Sequence, residues 1–216
     1  MAKVLLGVTG SVAATRMPAL YQELKRAGHD VKVVATRAAL YFFDPVALDP
    51  GRTERNKDIV VLDDDEWPGL DAGRHYRREE PVLHIELRRW ADILLIAPLD
   101  ANTLAKLANG LADNCLTCVY RAWDPLRPVI LAPAMNTLMW QHLLTRRHLR
   151  QLAADAEVPA APAELDAEDV VGWINEHGTR LYLVPPVSKR LACGDVGVGA
   201  MAALEEIAAA VARMSS

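Results

Sequence analysis

Six short apolar runs, each followed by a segment of different periodicity, constrain this chain more than any other feature. They fall at residues 3–8, 31–35, 59–62, 92–97, 129–132 and 181–184. Runs that are apolar at nearly every position read as strands covered on both faces, as in parallel sheets. Between them the spacing turns helical. Met17, Leu20, Tyr21 and Leu24 mark one helix before a stop at Gly28. Helices are also predicted from Asp100 through Leu107, from Asp113 through Trp123, over 137–152 and over 204–214, with shorter helical stretches at 38–43 and 84–90. Strands alternating with helices predict an α/β fold, a parallel sheet with helices on both faces. Ligands of such sheets bind beyond the carboxyl ends of the strands, near the topological switch point. The loops after Val8, Val34, Ala97 and Ala132 are therefore where function is expected.

Composition narrows the function classes. The chain has 216 residues, 51% hydrophobic and 24% charged, and a net charge of −4. This is the balance of one soluble globular domain over 1–216, long enough to bury a core without disulfides. An acidic chain has no general basic surface for nucleic acid phosphates, so no nucleic acid partner is expected. There is no apolar run of about 18 residues, so no membrane span is expected. The start, Met1 to Leu6, enters a strand directly, which predicts no secretory leader and a cytoplasmic protein. Three cysteines, Cys115, Cys118 and Cys193, are expected to be reduced thiols.

Two polar loops stand where strands end and helices begin. Gly7-Val-Thr-Gly-Ser11 is either a phosphate cradle, with Thr9 and Ser11 as hydroxyl donors, or an ordinary tight turn. Asp100-Ala-Asn-Thr103 is either a second such loop or a plain helix cap. Both together favour a mononucleotide. His84, between an apolar triplet and an amphipathic stretch, is either a satisfied histidine or a functional one. Cys115-Leu-Thr-Cys118 lacks a second ligand pair for zinc and a thioredoxin-like setting, so it reads as two buried small hydrophobes and no metal is expected. Cys193 lies among Gly194, Gly197 and Gly199, a glycine-rich lid on which a thiol can serve as proton donor or nucleophile. Asn136 follows Pro133-Ala134 at a strand-to-helix junction, and its amide can cap the helix or bind a substrate carboxylate.

Four segments carry a resemblance: Pro81-Val-Leu-His-Ile-Glu-Leu-Arg-Arg-Trp-Ala-Asp92, Ala97-Pro-Leu-Asp-Ala-Asn-Thr-Leu104, Pro133-Ala-Met-Asn-Thr-Leu-Met-Trp140 and Leu191-Ala-Cys-Gly-Asp-Val-Gly-Val-Gly-Ala-Met201. The chain resembles the phosphopantothenoylcysteine decarboxylases, among the homo-oligomeric flavin-containing cysteine decarboxylases. The resemblance implies a Rossmann-like, flavodoxin-type subunit that assembles as trimers or multiples of trimers, with FMN at a subunit interface. It implies cofactor contacts from Gly10, Ser11 and Val12, from Thr36, Arg37 and Ala38, from Asp100, Ala101, Asn102 and Thr103, and from Ala134. His84 matches the catalytic histidine. Asn136 and Met139 match residues that hold the cysteine end of the substrate. Lys189, Leu191 and Ala192 match a flap over it at 187–201, and Cys193 matches the acid of the reductive step.

The implied chemistry suits these residue types. Oxidation at the thiol-bearing carbon gives a thioaldehyde β to the carboxylate, which accepts the electrons when carbon dioxide leaves. Hydride and a proton then return to the ene-thiolate, and Cys193 would supply the proton. The cofactor carries the electron chemistry, and the protein supplies position and protons. The implied substrate is 4′-phosphopantothenoylcysteine, converted to 4′-phosphopantetheine in coenzyme A biosynthesis. The alternative is oxidative decarboxylation of a peptide C-terminal cysteine for a modified-peptide natural product. A phosphatase-binding regulatory subunit and a flavin prenyltransferase fit less well. The chain departs from the family at 153–180, read as an atypical insertion making a surface excursion with a short helix near Val170 to Trp173, and at Leu143, where a proline is usual.

Overall fold

Apolar residues alternate between two destinations along the central strands, and this places the sheet between two helical layers. The computed structural model describes residues 1–190 and 196–215. Strands Lys3–Val8 (β1), Asp30–Ala35 (β2), Val60–Leu62 (β3), Ile93–Leu99 (β4), Val129–Pro133 (β5) and Leu181–Leu183 (β6) pair in parallel, in the order β3-β2-β1-β4-β5-β6. The helices are Met17–Arg26 (α1), Asp63–Glu66 (α2), Leu83–Trp90 (α3), Ala101–Ala108 (α4), Cys115–Arg121 (α5), Thr137–Gln141 (α6), Leu143–Asp155 (α7), Ala167–His177 (α8) and Leu204–Met214 (α9).

Val4, Leu6 and Val8 of β1, with Ile93 and Leu95 of β4, pack against Leu20 and Leu24 of α1 and Ile207 and Val211 of α9. Leu5, Leu94 and Ile96 point the other way, into Leu104 of α4, Leu116 of α5 and Ile174 of α8. Successive side chains on a strand face opposite sides, so a strand buried on both faces must be apolar throughout. Each fully buried aliphatic side chain contributes roughly 1.5–3 kcal/mol. Gly7 is where the second layer comes closest. A Cβ there would sit 2.7 Å from Leu116 Cδ1.

The expected sheet and helical layers are present, with local corrections. The stretch predicted as one helix over 137–152 is two. At His142 the backbone is extended (φ −66°, ψ 143°), and the ring Nδ1 accepts the Leu144 N–H at 3.1 Å to cap α7. The break usually enforced by proline is thus made by a histidine cap. Asp113 does not cap α5. Asn114 does, in a reciprocal cap with Thr117, while Asp113 pairs with Lys106. The expected surface excursion over 153–180 is confined to residues 159–166, and the helix that follows packs into the core. Ala167, Val170, Val171 and Ile174 of α8 are buried, and the Arg150 guanidinium gathers the carbonyls of Ala161, Pro162, Ala163 and Leu165 at 2.5–3.3 Å. The short helix expected near Val170 to Trp173 is present and extends over Ala167–His177; what local spacing did not show is that its apolar side is buried.

The segment 187–201, expected as a flap, contains strand. Val187–Arg190 (β7) and Val196–Ala200 (β8) pair antiparallel. Gly197 and Gly199 serve close approach, not mobility. A Cβ on Gly197 would lie 2.7 Å from Thr137 Oγ1, and one on Gly199 (φ +142°) would lie 2.3 Å from the Met135 carbonyl oxygen. The Met135 N–H donates to the Gly199 carbonyl at 2.9 Å, docking the hairpin on the end of β5.

Candidate active site

The strand order reverses between β1 and β4, and a cleft of about 470 Å³ opens beside their carboxyl ends. The β1 loop supplies Gly10, Ser11 and Val12, and the β4 loop supplies Asp100 and Ala101. Ala134, Asn136 and Met139 come from the end of β5 and from α6, and Lys189 from β7.

Thr9 joins the two loops and is fully buried. Its hydroxyl donates to the Pro98 carbonyl and accepts the Asp100 N–H, both at 2.8 Å. This replaces the expected role of Thr9 as a donor to a ligand. Ser11 caps the 3-10 turn Val12–Arg16 that leads into α1. Gly10 lets the β2 loop close over it, since a Cβ would lie 2.7 Å from Ala38 Cβ and 3.2 Å from Asp100 Oδ2. Asp100 Oδ1 accepts the Thr103 N–H at 2.7 Å and caps α4. Thr103 is buried and Asn102 is exposed on the first turn of α4, and neither lines the cleft. Thr36, Arg37 and Ala38 of the β2 loop are not among the residues that line the cleft; Thr36 is 6% exposed, and its Oγ1 has no hydrogen-bond partner among the described residues.

Asn136 caps α6, its side chain accepting the Leu138 N–H at 2.8 Å. Its Nδ2 is the atom that can donate to a carboxylate. Met139 is half exposed at the cleft. Phe42 and Arg16 also line it, and sequence reasoning missed both. Arg16 sits at the last turn of a short 3-10 helix that no periodicity announces. Leu191, Ala192 and Cys193 lie outside the described residues.

His84 stands apart from this cleft, at the start of α3, with its side chain 23% exposed. Its partner was invisible in the sequence. The carboxylate of Glu66, from the acidic turn α2, accepts the His84 backbone N–H at 3.0 Å and meets ring Nδ1 with its other oxygen. The stretch 63–80 thus begins with an anchored helical turn. Asp63 accepts the Arg37 N–H at 3.0 Å and the Cys115 N–H at 3.2 Å. Burial pushes its carboxyl above the ordinary value against those two bonds. Asp65 binds Arg55 and Lys57. Cys115 is buried as expected, whereas Cys118 is only half buried, with its Sγ at 3.5 Å from the Ala112 carbonyl oxygen.

The family described as Flavoprotein matches residues 1–216. Phosphopantothenoylcysteine decarboxylase of Mus musculus is 44% identical over 213 residues, covering 97% of this chain and 85% of the mouse protein. The chain belongs to the flavoprotein family of the phosphopantothenoylcysteine decarboxylases. The Oryza sativa subsp. japonica member is also 44% identical, over 93% of this chain and 74% of its own length. A cysteine-to-serine mutant of PPC decarboxylase complexed with pantothenoylaminoethenethiol superposes with a TM-score of 0.76 at 40% identity, covering 98% of this chain and 97% of that one. The FMN binding protein AtHal3 superposes at 0.71 with 42% identity, over 98% and 95%.

Proposed function

We propose that this chain is an FMN-dependent decarboxylase converting 4′-phosphopantothenoylcysteine to 4′-phosphopantetheine in coenzyme A biosynthesis. The observation that carries the reading is the cleft at the switch point, where residues of the cofactor loops and Asn136 and Met139 meet. The residues fit the cofactor. Thr36 presents a buried hydroxyl with no partner among the described residues, and Gly10, at the edge of the cleft, lets the β2 loop pack against the β1 loop. Gly10, Ser11, Val12 and Thr36 would hold the phosphate at the positive end of the 3-10 turn and α1. Asp100, an acceptor, suits a ribityl hydroxyl and not a phosphate. Bound FMN supplies reversible hydride transfer.

The chain's own residues do the rest. Asn136 orients the substrate carboxylate with a dipole, not an opposing full charge, which avoids holding the ground state too firmly. Met139 packs beside it. Lys189 and Arg16 bring positive charge to the cleft, suited to an anionic substrate. His84 takes the proton in the oxidative half, and Cys193, which with Leu191 and Ala192 matches the family's flap in sequence, returns one in the reductive half. His84 does not line the cleft of its own chain, which supports a site completed by a neighbouring subunit, with His84 facing that neighbour's cofactor in the homotrimer or multiple of trimers that the resemblance implies. The reading places the protein in the cytoplasm as a single 1–216 domain. No described helix is long and apolar enough to cross a membrane.

The test supplies phosphopantothenoylcysteine and, separately, a short peptide ending in cysteine. Mass spectrometry should find the saturated thiol from the first, with the flavin returned oxidised. A product two hydrogens lighter, made by the wild type only from the peptide, would transfer the enzyme to peptide processing. Co-assembly of His84→Asn with Asn136→Ala subunits should recover activity that neither variant has alone, and no recovery would argue against a shared site.

A further inference from the structure

The geometry points to Glu66 as the positioning residue of His84, fixing the imidazole as the Nδ1–H tautomer and leaving Nε2 as the proton-accepting atom. The inference rests on the assignment of proton transfer to His84. An ionised carboxylate only accepts hydrogen bonds, so the ring nitrogen it faces must carry the hydrogen. Glu66 Oε1 faces Nδ1, and Oε2 takes the backbone N–H of the same residue at 3.0 Å. One carboxylate therefore fixes both the position of the residue and the orientation of its ring. The Glu66 side chain is 3% exposed, while that of His84 is 23% exposed. The buried end of the pair is the acid, and the ring is the part that reaches solvent.

Glu66 is itself held from several directions. Its turn follows β3 directly, and Asp63 at the head of the turn is bonded to the N–H groups of Arg37 and Cys115. Asp65 is bonded to the Leu62 N–H at 2.9 Å and to Arg55. Rotation of the turn would break these bonds together. The Cys115 thiol lies by the same carboxylate, and burial first, then Glu66, holds it in the protonated form. Arg37 belongs to the loop expected to touch the cofactor, so α2 ties that loop to His84 through side chains one turn apart. A base needs the correct tautomer as well as the correct place, and a wrong tautomer removes activity while leaving geometry intact.

The test uses the FMN-loaded enzyme with ¹⁵N-labelled histidine, the His84 signals being identified by their loss in His84→Asn. Wild-type His84, when neutral, should show a protonated Nδ1 and a bare Nε2. Glu66→Gln, whose amide can present either an acceptor or a donor, should lose that signature. Its kcat should fall on the order of 10²-fold or more, with KM and FMN content unchanged. Glu66→Asp, which keeps the carboxylate, should recover part of the loss. A wild-type His84 protonated at Nε2 overturns the inference, as does Glu66→Gln with wild-type kcat. If Glu66→Gln does not fold, the wild-type spectrum decides alone. If His84→Asn turns over at the wild-type rate, the assignment of His84 is what fails, while the spectrum still reports whether Glu66 sets the tautomer.

Discussion

The cleft at the β1/β4 switch point and the His84 turn are built by opposite means. The cleft is made of small residues and loop backbone. Gly10 admits a neighbouring loop, Thr9 ties two loops together, and Ser11 and Asp100 cap the helices that open there. The His84 turn is made of partly buried carboxylates, with Asp63, Asp65 and Glu66 each bonded to a different partner. A place for a ligand requires room and unspent donors. A place for proton transfer requires a group whose orientation does not drift, and charge-assisted hydrogen bonds in a low-dielectric setting provide that.

The contrast breaks most sharply at His84. His84→Asn should keep FMN, read from visible absorbance, and lose turnover by roughly 10²–10⁴-fold, the usual range for removing a general acid or base. Parallel loss of flavin would make the turn part of the cofactor site and erase the distinction. The converse variant is Gly10→Val. Its Cβ must displace Ala38, against which it would lie at 2.7 Å. FMN affinity should fall at least about tenfold, near 1.4 kcal/mol, measured by flavin titration of the apoprotein. Tight flavin binding in Gly10→Val would show that the packing of the β2 loop on Gly10 does not shape the cofactor site.

Thr9→Val sharpens the comparison from the structural side. The substitution keeps the shape but leaves the Pro98 carbonyl and the Asp100 N–H without their partner. A loss of about 1–3 kcal/mol in urea unfolding is expected. The smallest effect belongs to Asp65. Burial raises its carboxyl, but bonds from Arg55, the Leu62 N–H and Lys57 outweigh that and hold it below the ordinary value. A depressed folded value gives stability that is present above the unfolded pKa and lost as pH falls through the folded one. Wild type should therefore be more stable than Asp65→Asn at neutral pH, and the gap should close as pH falls below the ordinary carboxylate range. A gap independent of pH in thermal unfolding would show that charge does not brace the turn.

Legibility divides along the same line. Val4, Leu5 and Leu6, apolar at successive positions, announced a strand buried on both faces, and the polar loops after β1 and β4 followed from that prediction. Asp63 to Glu66 gave no such sign, because a run of acids usually faces water. The sequence also placed glycines at 197 and 199 where mobility was the natural expectation. Only the packed hairpin shows that a Cβ would strike Thr137 or Met135 there.

By itself, the chain's sequence determined the parallel sheet, its two helical layers and the strand ends at which a ligand would bind. Those depend on periodicity and on loop chemistry, which are local properties of consecutive residues. The four motif segments carried the family resemblance as well. The tertiary structure decided that Thr9 is consumed in joining two loops, that α8 is a core helix, that His84 stands away from the cleft of its own chain, and that Glu66 is its partner. Glu66 and His84 are 18 residues apart, and Thr9 and Asp100 are 91 apart. Pairings of that kind leave no periodic trace, because they are set by which loops the sheet brings to one edge.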